Sequence, residues 1–359
     1  MASKGKGRAS ENVSLSPMPN PSAGSANPSV SFPALWNYLE PALDHIVRSP
    51  SNDPKRAPTI EVAYHMGIHT AVYNYFTSAG RFDMNALGAP QLQHLKGSDT
   101  QGNPPHGADL YEKLDKYYKD VCQELLASAP VDDSELLDYL LPCFSRFSAG
   151  TQSVHRLLNY VNRHYVKRAV DDDHGWLRLT DMVDVVAHFL ENGGSSDSPR
   201  EHLQSRLRER RFKELKKWGY QEGDPPEFLQ TAEAAAEAAS KPDRIVPLGS
   251  MAYRRFREEV IKPLMAVPKV RKGKKKYKKH HGSSVSSTDT SSHGGGDSTG
   301  PKSRLGRAVR DLIEAEDNES LETRRETATK VNEMLKTVGI PNDLSLRKKL
   351  GKFSSQPKG

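Results

Sequence analysis

The chain has 359 residues, 52 Lys and Arg against 45 Asp and Glu, a formal net charge of +7 and 35% hydrophobic residues. That length holds one to three domains with a sizeable core. No apolar run approaches the length of a membrane span, Ala2-Ser3-Lys4-Gly5-Lys6 leads into no hydrophobic segment, and the two cysteines, Cys122 and Cys143, lack metal-type spacing. A secreted, membrane-inserted or disulfide-stapled protein is not expected, and the expected setting is the reducing interior of the cell, nucleus and cytoplasm.

Residues 1–30 form a Ser/Pro/Asn/Gly tail, and residues 280–303 are equally poor in large apolar side chains. Neither stretch can bury enough surface to offset chain entropy, so both are expected to be disordered. From Ser31 or Phe32 onward, Leu35, Trp36, Leu39, Leu43, Ile46 and Val47 recur at three- and four-residue steps. This spacing predicts a first helix, kinked or split at Pro41. Thr59 is a fair N-cap for a second helix with the stripe Ile60, Tyr64, Ile68, Ala71, Val72, Tyr75, and residues 79–108 read as a long loop. A third helix carries Leu110, Leu114, Tyr117, Val121 and Leu125. The fourth runs from Leu136 through Leu140 to Phe144 and Phe147, distorted at Pro142. The fifth covers 152–168, with Leu157, Leu158, Val161, Tyr165 and Val166 inside. Five helices without strand alternation make an all-α bundle. Beyond Trp176 the pattern loosens into helices at 179–190, 206–218 (strongly basic), 232–239, 252–264, 305–316 and 321–338, the last stopped by Gly339 with Pro341 beyond.

The sequence carries no recognisable catalytic motif. The chain has no phosphate loop, nucleophile elbow or dinucleotide fingerprint. His65 and His69 stand at i, i+4, but without the glutamate of a metalloprotease motif or an evident third ligand. Asp171-Asp172-Asp173-His174 follows a helix end and precedes Gly175, which suits a solvated loop. No enzyme, cofactor or metal is expected. Residues 269–279 hold eight Lys/Arg and no acid, a run that fits nuclear import, phosphate-backbone contact or a solvated loop. Recognition is what remains. Tyr73 and Asn74 lie opposite the apolar stripe of their helix, with Met66 on the same side, as amphipathic anchors at interfaces do. Asn162-Arg163-His164 reads either as interface or as an intramolecular network in which Arg163 pairs with Glu40 or Asp44.

Four segments, Trp36-Asn37-Tyr38-Leu39-Glu40, Val72-Tyr73-Asn74-Tyr75-Phe76-Thr77-Ser78, Leu110-Tyr111-Glu112-Lys113-Leu114 and Tyr160-Val161-Asn162-Arg163-His164-Tyr165-Val166-Lys167-Arg168, resemble in order and spacing the N-terminal repeat of a cullin, most closely that of SCF-type ubiquitin ligases. Phe144 and Phe147 stand where that family usually has Trp and Tyr. A weaker likeness, Tyr253-Arg254-Arg255-Phe256-Arg257-Glu258-Glu259-Val260-Ile261-Lys262-Pro263-Leu264 with Ala308-Val309-Arg310-Asp311-Leu312-Ile313-Glu314, resembles the opening helices of the second repeat. The resemblance implies a five-helix cullin repeat over 31–178 and a helical or irregular insertion over 179–250. An incomplete second repeat follows over 251–343, interrupted by a disordered basic Ser/Gly-rich loop at 269–303, and then a basic tail at 344–359.

It also implies that the exposed sides of the second and fifth helices face a Skp-type adaptor bearing an F-box protein. Those sides map onto Met66, His69, Thr70, Tyr73, Asn74, Tyr160, Asn162, Arg163, His164 and Lys167. Because the sequence stops inside what would be the second repeat, neither a RING subunit nor the modifier-accepting lysine is expected. The implied function is a non-catalytic scaffold of ubiquitin-dependent protein catabolism. The alternative is a nuclear basic protein that contacts nucleic acid through 206–218 and 269–279.

Overall fold

In the computed structural model, residues 31–48, 55–86, 107–182, 199–267, 303–315 and 320–355 are described, with 78–86, 182 and 199–203 as backbone only. These residues are helical and contain no strand. The first five helices are α1 (Phe32–Val47), α2 (Val62–Ala86), α3 (Ala108–Ala127), α4 (Leu136–Leu157) and α5. α5 starts as Asn159–Val161, widens into a π turn at Asn162–Val166 and ends as Lys167–Asp171. Then come α6 (Pro199–Lys217), α7 (Pro226–Ala239) and α8, which is Leu248–Phe256 continued by a π turn at Arg257–Ile261 and by Lys262–Met265. The last three are α9 (Arg304–Glu314), α10 (Leu321–Thr337) and α11 (Ser345–Ser355). None is long and apolar enough to cross a membrane.

Several boundaries depart from the periodicity. α1 and α4 run unbroken through Pro41 and Pro142. Each proline is exposed, and so are Asn37 and Asp138 one turn earlier, so water can reach the carbonyls left without an amide donor. α2 continues to Ala86, into the stretch read as loop. The turn between the fourth and fifth helices falls at Leu158 (φ −103°, ψ 27°), not between 147 and 152. Gly150, a helix breaker by propensity, sits inside α4 because α1 crosses there. A Cβ on it would lie 3.1 Å from the Ile46 carbonyl oxygen and 3.2 Å from the Val47 Cα. Residues 345–355, expected within a basic tail, form α11 and bury Arg347, Leu350 and Phe353. The expected helix at 179–190 lies mostly outside the described residues, which hold only a 3₁₀ turn at Thr180–Met182. The N-terminal tail and the 269–279 run also lie outside them.

One apolar core runs from α1 to α11. An aromatic series threads it. Trp36 meets Tyr117 (6.1 Å between ring centroids), Tyr117 meets Tyr118 (5.8 Å), Tyr118 meets Phe147 (5.9 Å), and Phe147 meets Phe256 of α8 (5.2 Å). Phe144 also packs on Phe256, at 5.3 Å. The two phenylalanines of α4 thus join the first five helices to the later ones; Phe147, 2% exposed, buries enough surface to contribute about 1.5–3 kcal/mol, and Phe144 is half-buried.

Residues 240–250 are pinned into this core by polar side chains. The Tyr111 hydroxyl donates to the Val246 carbonyl (2.9 Å) and accepts from the Val246 amide (3.1 Å). Arg254, 2% exposed, donates to the carbonyls of Arg244 (2.8 Å) and Lys241 (3.0 Å). Arg257 donates to the carbonyl of Ser240, at the end of α7, at 3.0 Å. These carbonyls have no other helix to serve, and charged donors suit them well. α6 and α7 form a hairpin with a small cluster of their own, Leu215, Trp218, Ala232, Ala235 and Ala236.

Candidate functional site

α2 buries Tyr64, Ile68, Ala71, Val72 and Tyr75 against the bundle. Helical geometry then sends the residues between them outward. Val62 (76% exposed), Met66 (57%), His69, Thr70, Tyr73 (47%) and Thr77 form that outer line. α5 lies beside it. The Tyr73 ring meets Tyr160 edge-on at 5.5 Å, Phe76 supports Tyr160 from beneath at 5.4 Å, and His164 stacks on Tyr160 at 3.9 Å. Gly107, with φ +91°, opens α3 directly under Phe76, and a Cβ there would collide with the Phe76 ring. Burial, and then the neighbouring Tyr73, hold the Tyr160 phenol above its usual pKa, so it is a neutral hydroxyl at physiological pH.

Two cations flank the aromatic cluster. Arg163 and Lys167, one turn apart on α5, are exposed, whereas Arg168 leans toward Asp172 at 4.0 Å. Asp44, one of the intramolecular partners considered for Arg163, is occupied by Arg48 and by the Tyr117 hydroxyl (3.0 Å). Asn74 is half-buried at the flank of the same face.

Asn162 stands apart from the other nine predicted residues. It opens the π turn, and its side chain points at the start of α8. Its Oδ1 accepts from the Leu248 amide at 3.0 Å, and its amide nitrogen lies 3.3 Å from His155 Nδ1, which also accepts from the Gly249 amide at 3.3 Å. Asn162 and His155 together cap α8, doing from outside the helix what an N-cap residue does from within. A ring nitrogen that accepts must stay unprotonated, and burial, then Arg156, lower the His155 pKa accordingly. Sequence reasoning missed His155 and Val62. The signal for Val62 was available, four residues before Met66 on the outer stripe. None existed for His155, whose partners lie 94 and 7 residues away.

The face offers aromatic edges, a thioether and two cations, which is binding chemistry. Among the described residues no three His, Cys, Asp or Glu side chains converge as metal ligands. Cys122 and Cys143 are buried free thiols, and burial first pushes the Cys122 thiol well up, away from thiolate chemistry. On α6 the basic side chains are partly neutralised. Arg206 meets Glu209 at 3.2 Å, Lys217 meets Glu214 at 2.8 Å, and Arg211 pairs with Glu233.

An all-α stack of adjacent helices of this kind belongs to the class of α-helical solenoid proteins. The family model described as the cullin alpha solenoid domain matches residues 36–345, and the chain belongs to the cullin family. It is similar to Cell division control protein 53 of Saccharomyces cerevisiae, 24% identical over 148 residues, which are 39% of this chain and 16% of that protein. It is similar as well to Cullin-1 of Dictyostelium discoideum (25% over 145 residues; 40% and 17%) and to Cullin-1 of Caenorhabditis elegans (24% over 145 residues; 39% and 17%). The matched stretches therefore span about one-sixth of the length of these relatives. No solved structure matches the chain.

Proposed function

We propose that this chain is a non-catalytic scaffold of ubiquitin-dependent protein catabolism that holds a Skp-type adaptor, with its F-box protein, on the outer face of α2 and α5. The observation that carries this reading is the contact between Tyr73 and Tyr160, residues 87 positions apart whose rings meet at 5.5 Å on the surface with exposed Met66 on the same helix. A preassembled aromatic patch loses little side-chain entropy when a partner covers it. Val62, His69 and Thr70 extend the patch along α2, while Arg163 and Lys167 steer an acidic partner toward it. Asn162 acts from behind, by fixing α5 against α8. Recruitment of a RING subunit is no part of the proposal.

Adaptor pull-down and titration test it. Met66→Ala combined with Tyr73→Ala removes two exposed side chains without opening the core, and is expected to cost adaptor binding about 2 kcal/mol or more. Unchanged affinity in the double variant overturns the proposal. The nucleic-acid reading gains little from α6, where three of the cations are already paired with glutamates.

A further inference from the structure

A second surface lies at the far end of the chain from the α2–α5 face. Residues of α9, α11 and the end of α8 line an open groove of about 500 Å³. Its floor is apolar, built by Val309, Ile313, Leu346 and Phe353. α9 is strongly two-sided: Leu305, Gly306, Ala308 and Val309 are buried, while Arg304, Arg307, Arg310, Asp311 and Glu314 take the polar side. The rim is basic. Lys349 and Lys352 are exposed along α11, a helix with four Lys/Arg and no acid. Across the groove, Arg310 is shared between Asp311 (3.5 Å) and Glu314 (3.8 Å), so the lysines set the sign.

We propose that this groove seats an amphipathic helix of a partner protein, apolar on the face turned to the floor and acidic along the edge turned to α11. The volume suits two or three aliphatic or aromatic side chains, about two turns of one helix face. Charge selects the occupant. Residues 268–302 lie in sequence between Met265 and Ser303, both of which line the groove, but they carry eight Lys/Arg between 269 and 279 and no acid there, the wrong sign for this rim. A second copy of the chain would bring α11 against α11, again like charge on like. An acid-flanked helix from outside satisfies both the floor and the rim, and the groove lining shares no residue with the Tyr73–Tyr160 patch.

The test uses the full chain and a designed, fluorescently labelled helical peptide of about 15 residues, with Leu at i, i+3, i+4 and i+7 and Glu along both flanks. A twin peptide carries Lys in place of Glu. The Glu peptide is expected to bind and to slow hydrogen exchange in α9 and α11, with the Lys twin at least about tenfold weaker. Lys349→Glu with Lys352→Glu, both exposed and outside the core, is expected to reverse that preference, and Met66→Ala/Tyr73→Ala to leave it unchanged. Equal binding of the two peptides, binding of neither, or indifference to the charge reversal overturns the proposal. So does binding that emerges only after deletion of 268–302, which would give the groove to the chain's own segment. Competition by self-association, seen as a concentration-dependent mass, would give it to a second copy and overturn the proposal equally.

Discussion

Asn162 and Tyr160 are two positions apart in one run of polar and aromatic residues, yet they serve opposite sides of α5. Tyr160 meets Tyr73 at the surface, whereas Asn162 accepts from the Leu248 amide. Two steps of helix turn side chains about 200° apart, so the separation comes from helix geometry; the π turn begins only at Asn162. Asn162→Ala should therefore lower thermal stability by about 1 kcal/mol and leave the affinity of an isolated adaptor contact nearly intact, as calorimetric unfolding and titration will show. A second residue reports on pH. Glu237 of α7 is half-buried and accepts from the Ser250 hydroxyl at 2.6 Å. Burial pushes its carboxyl up to about 7, against an ordinary value of 4.5. The folded state thus holds this proton more tightly than the unfolded chain. Its contribution is fully present below pH 4.5 and is lost as pH rises through 7. Glu237→Gln is expected to raise stability on the order of 1 kcal/mol at pH 8 and to change little at pH 4; a gain of the same size at both pH values would refute the assignment.

At the scale of elements, the amphipathic stripes were readable because burial on a helix repeats locally, at steps of three and four. The endings were not. Pro41 and Pro142 signalled breaks, but an exposed position lets a helix pass through proline. Gly150 is a breaker by propensity as well, and only the crossing of α1 explains its place inside α4. Gly150→Ala should push α1 and α4 apart and cost about 1–3 kcal/mol, measurable by denaturant unfolding. Gly107→Ala acts through packing on the α2–α5 face proposed to hold the adaptor. Its left-handed backbone and the Phe76 ring both oppose a Cβ, so Phe76 must move and Tyr160 lose its support. The expected result is weaker adaptor binding together with lower stability, whereas intact binding would show that Tyr160 holds its position without Phe76.

For the molecule as a whole, the continuity of the core matters more than the count of repeats. Phe147 and Phe256 join α4 to α8, Arg255 of α8 forms a two-pronged ion pair with Asp115 of α3, and Arg304 and Arg307 of α9 both reach Asp133 ahead of α4. Burial alone would raise the Asp133 carboxyl, but the two guanidiniums outweigh it and hold the pKa below the usual range. Such ties across the chain predict one cooperative unfolding transition. Phe256→Ala should cost about 3–5 kcal/mol and speed hydrogen exchange in α3 and α4 as well as in α8. Acceleration confined to α8 through α11 would mean two independent units.

By itself the sequence determined the helical class, the family and the outward-facing stripe with Met66 and Tyr73, because all three are written in local periodicity and short motifs. Tertiary structure alone decided that Tyr73 and Tyr160 form one patch, that Asn162 turns away from it, that Val246 and Leu248 belong to the core, and that α9 and α11 line a groove. Each of those depends on a contact between residues far apart in the chain, such as Asn162 with Leu248 or Arg257 with Ser240, where a side chain finds a partner only after the helices have packed. Local periodicity sets which face of a helix is buried, but packing against distant neighbours sets what that face meets.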